Sequence, residues 1–405
     1  MIPVRRDVHG FKRDTICFAN RIRYRISANV DLNLKGNKNM FTVGFIGLGL
    51  IGGSIARCIR ERHPDYHMIA CGASMQTLHM ALEEQVVDEI FPEADTNLSR
   101  CDLIFLCAPV EYNIAYLKTL KKIISDTCLI TDVGSTKAEI HEEVIRLNME
   151  DRFIGGHPMA GSEKSGFKHS NTHLLENAWY VLTPNDKTNP ESLDLMLECV
   201  HDCRAQHIVL DYKEHDRIVA AISHVPHLIA AGLVNLVQDN DNTLQQMKQL
   251  AAGGFKDITR IASSSPIMWE QICTSNTAPI ADILRKYITI MENILEDVEK
   301  KDGASINHFF EKSRDYRNTI SDKPKAIGYI KPEYSIYCDI VDRAGAIATL
   351  ATTLSTHQIS IKNIGIIHNR SFEDGALKIE FYTEEAMEKA IEVLVKWNYT
   401  IIRRS

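Results

Sequence analysis

A glycine-spaced turn between a strand and a helix constrains this chain more than any other feature. The segment VGFIGLGLIGGS (43–54) sets Gly47, Gly49 and Gly52 in G-x-G-x-x-G spacing. A continuous apolar strand, FTVGFIGL, runs into it, and a helical pattern, GGSIARCIRERH, leads out. There the first glycine permits the tight turn, the second lets backbone approach a pyrophosphate, and the third lets helix and strand pack closely. The helix N-terminus adds free N–H groups and the positive end of its dipole. A dinucleotide site is expected over Gly47–Gly52, with Leu48, Leu50 and Ile51 inside the turn. Further strands recur at HMIACGA, DLIFLCAP, TCLITDV, RFIGGHP and WYVLTP, with helical patterns between them. Continuous apolar strands alternating with helices imply a parallel sheet covered on both faces. The fold class is therefore α/β, a Rossmann-type domain over residues 40–185. Ala108 and Pro109, at the end of DLIFLCAP, are expected at the cofactor.

The end of the second strand bears on which dinucleotide is bound. An acidic residue there would hold the ribose 2′-OH of NAD. The sequence instead reads Cys71-Gly72-Ala73-Ser74, with no Asp or Glu and no Arg close behind. Ser74 can contact either sugar. NAD is the expected cofactor, because NADP needs a positive feature that is not found, and NADP stays open.

Beyond residue 185 strand signals stop and long amphipathic stretches take over, so residues 186–320 read as an all-helical domain. Its richness in apolar residues points to an oligomer interface. Residues 321–332 (SDKPKAIGYIKP) break any periodicity and read as a linker. Residues 333–405 read as βαββαβ, a ferredoxin-like α+β unit. Residues 1–39 carry nine Lys/Arg and three Asp, lack an apolar signal core, and read as a flexible leader. The net charge of −7 argues against a nucleic-acid binder. The ten cysteines are scattered without CxxC spacing, which suits a reducing cytoplasm and gives no zinc site. The most apolar run, Ile218–Val237, is interrupted by two His, a Pro, a Ser and an Asn. It reads as a buried core helix rather than a membrane span.

Four segments carry candidate chemistry. In TDVGSTKAEI (131–140), Ser135 lies at a strand's carboxyl end, where open α/β sheets bind ligands, and Thr136 with Glu139 matches a capping box. GGHPMAGSEKSG (155–166) puts His157 at the next strand end, among small residues that permit close substrate approach. An imidazole there is an acid/base candidate. ISHVPH (222–227) holds Ser223, His224 and His227, the two His sharing a helical face if Pro226 does not break it. They lack the carboxylate partner a metal site would want, so no metal is expected. GGFKDITRIASSSPIMW (253–269) begins at Gly253 and holds Lys256, Arg260 and Trp269. The fork of donors on Arg260 suits a carboxylate.

Taken in order, GLGLIGGS, DVGSTK, GGHPMAGSEKSG, SHVPH and FKDITRIASSSPIMW resemble the prephenate dehydrogenases over about Phe41–Arg317. The resemblance implies an NAD(P)-dependent oxidoreductase of tyrosine biosynthesis that converts prephenate to 4-hydroxyphenylpyruvate by oxidative decarboxylation. It implies that neutral His157 takes the ring-hydroxyl proton and that Ser135 bonds the same hydroxyl and orients His157. Arg260 would meet the ring carboxylate. Ser223, His224 and His227 would line the side-chain pocket, with Gly253, Glu163 and Trp269 also at the substrate. Arogenate dehydrogenase is the close alternative, and a non-catalytic dinucleotide sensor the distant one. The last 70 residues resemble an ACT domain, through DRAG (Asp342–Gly345) and ISIKNI. That implies an effector, tyrosine, near Asp342, Gly345 and Asn363, and the whole implies a cytoplasmic homodimer.

Overall fold

Apolar or small residues at every position bury β1 (Thr42–Ile46) completely at the centre of a sheet. The structure is a computed structural model that describes residues 40–161, 164–320, 334–339, 345–367, 376–397 and 399–402. The leader, the linker, Glu163 and Asp342 lie outside the described residues. The chain divides into two compact units at about residue 306.

In the first unit, β1 is joined by β2 (His67–Cys71), β3 (Glu89–Phe91), β4 (Leu103–Leu106), β5 (Leu129–Asp132), β6 (Phe153–Pro158), β7 (Trp179–Pro184) and β8 (Gln206–Val209). The sheet order is β3-β2-β1-β4-β5-β6-β7-β8. The direction of winding reverses between β1 and β4, which opens a crevice at their carboxyl ends. Helices α1 (Leu50–Arg62), α2 (Met75–Glu83), α3 (Val110–Leu120), α4 (Ala138–Arg146) and α5 (Pro190–Asp202) accompany the strands. Two apolar clusters lie on opposite faces, one around Phe45, Ile55, Phe105 and Met196, the other around Ile46, Leu106, Leu117 and Val144.

Two features depart from the expected parallel sheet ending at residue 185. Strand β7 runs antiparallel to β6, with His157 opposite Val181. Between β6 and β7 the described residues hold only a single 3-10 turn, Phe167–His169, and no crossover helix to return the chain in parallel. The sheet then continues to β8, parallel to β7, through the crossover helix α5. Strand β8 escapes sequence reading because QHIV lies at the sheet edge, half-buried or exposed at every position, and carries no apolar run.

Next come α6 (Tyr212–Val219), a π-turn (Ala220–His224), α7 (Val225–Asn240), α8 (Gln246–Leu250), α9 (Gly253–Thr259), a 3-10 turn (Arg260–Ser263), α10 (Pro266–Ser275) and α11 (Thr277–Lys300). From Tyr212 to Asn240 the helix is continuous, long and apolar enough to cross a membrane by length and composition. The core-helix reading holds for one side only: Ala220, His224, Val225 and Ala230 are buried, while Ile222 and Leu236 stand exposed. Helix α11 leaves Ile288, Ile290, Leu295 and Val298 exposed as well. Among the described residues, then, this apolar surface has no cover.

The second unit opens on α12 (Gly303–Thr319) and continues as β9 (Tyr334–Asp339), α13 (Ala346–Thr356), β10 (Ile361–Ile367), β11 (Ala376–Phe381), α14 (Glu384–Lys396) and β12 (Thr400–Ile402). Its antiparallel sheet has the order β10-β11-β9-β12, the ferredoxin-like arrangement expected. Ile336, Leu350, Leu354, Ile379 and Leu394 form its own core.

Gly155 and Gly156 on β6 are small because of their neighbours in the sheet. A Cβ on Gly155 would lie 2.3 Å from Thr183 Oγ1, and one on Gly156 would lie 2.5 Å from the Asp132 carbonyl oxygen. Gly156→Ala should therefore destabilise the fold by about 1–3 kcal/mol, the usual cost of overpacking. Denaturant unfolding of the full chain checks this; an unchanged midpoint would contradict it.

Candidate active site

The glycine turn has the shape its spacing implied. Gly47 takes φ +91°, which only glycine adopts freely, and its N–H donates to the Cys71 carbonyl at 2.8 Å. A Cβ on Gly52 would lie 2.6 Å from the Gly47 carbonyl oxygen, so helix and turn touch there. A Cβ on Gly49 would meet nothing within 4 Å, leaving open space beside the backbone. Gly49 caps α1 without a side chain, and the first turn carries no acidic residue. Free N–H groups, a positive helix end and an open approach fit a dinucleotide pyrophosphate. Leu48 is buried in the core, so its side chain serves the fold; Leu50 and Ile51 are half-buried. Ala108 and Pro109 stand across the crevice, and the Ala108 N–H lies where a Gly47 Cβ would come within 3.2 Å. Asn113, fully buried, holds that loop: its amide donates to the Leu106 and Ala108 carbonyls and accepts from Ala108 N–H. Ser74 is exposed and caps α2, its Oγ accepting from Thr77 N–H at 3.3 Å.

Strands β5 and β6 pair at Ile130–Phe153 and Thr131–Ile154 and then part. The Asp132 carboxylate fills the fork, accepting from Gly134 N–H at 2.8 Å and Gly156 N–H at 3.2 Å. It also pairs with the ammonium of Lys137, and both side chains are fully buried. His157, one residue beyond the fork, is half-buried. Its Nδ1 lies 2.8 Å from His215 Nε2, and His215 Nδ1 lies 2.8 Å from Asp216 Oδ1. Burial, with His215, Lys137 and His224 adding to it, holds the His157 imidazole well below its usual range. Ser135 follows β5 and is half-buried, but it is not hydrogen-bonded to His157; the orienting partner is His215.

Thr136 and Glu139 do not form the expected capping box. The Thr136 hydroxyl is bonded to Ser275 at 3.0 Å. Helix α4 is capped from a distant part of the chain: Asp216 Oδ1 accepts from Lys137 N–H and Oδ2 from Ala138 N–H, both at 2.8 Å.

Past the π-turn, Pro226 falls in the first turn of α7 and does not break the helix. His224 and His227 share a face as expected, both meeting Trp269 on α10. The His227 ring stacks on the indole at 3.9 Å, and His224 stands edge-on at 6.0 Å. Asn276 Nδ2 donates to the Asp216 carbonyl and to His224 Nδ1, which leaves the His224 proton on Nε2. Burial draws His224 down to about 4, so it is neutral near pH 7. His227 Nδ1–H donates to the Ser223 carbonyl at 2.9 Å. The indole N–H of Trp269 is buried without an acceptor among the described residues. Arg260 is exposed at the start of the 3-10 turn, which packs on α7, and Gly253 is exposed at the start of α9.

A family model described as the nucleotide-binding domain of prephenate dehydrogenase matches residues 55–209, and one described as its dimerization domain matches residues 211–312. The chain is 36% identical to a prephenate dehydrogenase of Bacillus subtilis over 87% of its length and 95% of that protein. It is 33% identical to one from Lactococcus lactis, over 88% and 98% respectively. The chain belongs to the prephenate dehydrogenase family. Among solved structures, a prephenate dehydrogenase from Aquifex aeolicus in complex with hydroxyphenyl propionate and NAD+ matches with TM-score 0.65 and 26% identity, over 71% of this chain and all of that one. Synechocystis arogenate dehydrogenase matches with TM-score 0.62 and 29% identity, over 69% and 99%.

Four residues that brace the glycine turn and His157 are given no role by sequence reading: Lys137, Asn113, His215 and Asp216. In KEHDRIV a His-Asp pair reads as the solvated side of an amphipathic helix, and only the tertiary partners at 137, 138 and 157 give it a role. Breaking a buried ion pair on one side typically costs about 3–5 kcal/mol. Lys137→Met should therefore destabilise the chain by about that much in denaturant unfolding. Adding Asp132→Asn, which removes the unpaired charge and keeps one oxygen for either Gly134 N–H or Gly156 N–H, should recover part of the loss. A single variant as stable as wild type would show the pair to be dispensable.

Proposed function

We propose that this chain binds NAD+ and prephenate and catalyses oxidative decarboxylation to 4-hydroxyphenylpyruvate. The observation that carries this reading is His157, an imidazole held neutral at the sheet's carboxyl edge, in a chain of this family. NAD+, bound over Gly47–Gly52 and against Ala108 and Pro109, supplies the hydride acceptor. His157 takes the proton of the ring hydroxyl as that carbon becomes a carbonyl. Carbon dioxide leaves the opposite ring carbon, and the ring's oxygen regains the proton from His157 as aromaticity forms. Ser135, just past the end of β5, bonds the same hydroxyl in this reading. Arg260 receives the ring carboxylate. His224, with its proton on Nε2, and the unpartnered indole N–H of Trp269 are donors for the side chain's oxygens. Ser223, His227, Gly253 and Glu163 complete the pocket in this reading.

The cofactor domain is taken as residues 40–209, extended from 185 by β8, and the helical domain as 210–320. The uncovered apolar side of α7 and α11 supports a homodimer. The nine described cysteines are all free, which supports the cytoplasm. Full chain should form reduced dinucleotide from prephenate and NAD+ faster than from arogenate or NADP+, with 4-hydroxyphenylpyruvate as product. No turnover with either substrate would overturn the reading. His157→Asn should lower kcat by about 10²–10⁴-fold, the usual share of a general base. A base must be neutral to act, so a depressed His157 keeps the enzyme active to lower pH than an ordinary imidazole would. The acid limb of kcat/KM should thus fall below about pH 6.5, the unperturbed value. A limb above it would contradict the assignment.

The second unit is proposed to be an ACT domain that senses tyrosine. An alignment of 356 residues is longer than the 332 that precede the βαββαβ part of this unit, so the Bacillus relative shares at least part of it. Gly345 takes φ +86° at the start of α13 with open space around it, and Asn363 is exposed on β10. Tyrosine should inhibit the full chain, and Gly345→Val, strained at that φ, should weaken the inhibition. Equal inhibition of both proteins would place tyrosine at the active site instead.

A further inference from the structure

The ring of His157 has two nitrogens, and only one arrangement of protons makes it a base toward the crevice. The hydrogen bonds around it select that arrangement. The Asp216 side chain is buried, 1% exposed, and as a carboxylate it can only accept. Its Oδ1 takes Lys137 N–H and its Oδ2 takes Ala138 N–H, and its own carbonyl accepts from Asn276. The carboxylate therefore cannot rotate away, and His215 Nδ1, 2.8 Å off, must carry a hydrogen and donate it. In neutral His215 the other nitrogen, Nε2, is then a bare acceptor. His157 Nδ1, 2.8 Å from it, must in turn be the protonated nitrogen. What remains on His157 is Nε2 with its lone pair free.

We propose that His215 and Asp216 are positioning residues that fix the proton of His157 on Nδ1 and leave Nε2 as the accepting atom. This rests on the proposed role of His157 as the base. When Nε2 takes the substrate's proton, no bond in the chain has to be remade: His157 Nδ1–H still donates to His215, and His215 still donates to Asp216. The Asp216 carboxylate sits two bonds away to balance the new charge. The other groups facing this chain are Lys137, paired with Asp132, and His224, held neutral beside Asn276. Charge on His215 opposes charge on His157. An aspartate that fixes a histidine's tautomer has precedent in serine proteases, where replacing it by Asn lowers kcat by about 10⁴.

The test uses the full chain with prephenate and NAD+. His215→Gln keeps an oxygen near the position of Nε2 and should stay within about tenfold of wild-type kcat, a smaller loss than the roughly 10²–10⁴ of a missing general base. His215→Leu removes the acceptor and should lose about 10²-fold or more in kcat while KM for prephenate moves little. Asp216→Asn should lose kcat similarly, because its amide can donate to His215 and reverse both rings. In wild-type protein labelled with ¹⁵N in the histidine rings, and with His157 assigned by its loss in His157→Asn, Nε2 should be the unprotonated nitrogen. An unprotonated Nδ1 on His157 overturns the proposal even if every variant unfolds. Wild-type kcat in His215→Leu also overturns it, and if His157→Asn is inactive at the same time the base assignment still stands. Wild-type kcat in His157→Asn overturns the base assignment itself.

Discussion

Helix α4 begins with a buried N–H on Lys137, a half-buried one on Ala138 and no capping side chain of its own, and the carboxylate of Asp216 reaches them across 79 and 78 residues of sequence. Without it the buried Lys137 N–H would be left without a partner, a cost of about 1–3 kcal/mol. The same carboxylate fixes His215 and through it His157. The start of α4, the loop bearing Ser135, the end of β6 and the first turn of the helical domain are therefore held in one frame. A shift in any of them is resisted by the same pair of oxygens. The site is positioned less by the sheet alone than by this bond between the sheet and the helices that follow it.

Much of this was legible in the sequence where the controlling physics is local. The turn at Gly47–Gly52 depends on three glycines and their immediate neighbours, so its spacing was enough. The place of His157 at a strand's carboxyl end could be read because strand and turn patterns are local. The βαββαβ order of the second unit followed from periodicity. The rest depends on partners far away in the chain. Nothing local marks Lys137 for burial, yet it is fully buried because Asp132 waits in the fork between β5 and β6. Thr136 has the pattern of a cap but turns to Ser275, because Asp216 has taken the cap position. Gly155 and Gly156 read as room for substrate and are instead room for Thr183 and the Asp132 backbone. Strand β8 carries no apolar signal because it lies at an edge.

The fork itself shows how a parallel sheet makes space for chemistry. Beyond Thr131 and Ile154 the backbones of β5 and β6 no longer pair, and Gly156 N–H would be left without a partner. The Asp132 side chain supplies one, and its charge is answered by Lys137. The buried pair thus replaces the ladder bonds that a continuing sheet would have made, and it sets a cation near His157. That cation disfavours a second positive charge on the imidazole, which helps to keep the ring neutral.

The π-turn at Ala220–His224 has a consequence of angular phase. Successive residues of an α-helix advance by about 100°, and a π-turn inserts roughly one residue without changing the axis. Side chains after it are rotated by about that angle against those before it. His215 and Asp216 precede the turn and face the sheet; His224 ends it and His227 follows, and both face Trp269. A regular helix of the same sequence could not hold both sets against their present partners. One extra residue per turn, at one place, lets a single rod present two differently aimed faces, one to the proton-bearing chain and one to the aromatic wall. Deleting any residue of the turn would swing the second face away while leaving the first in place.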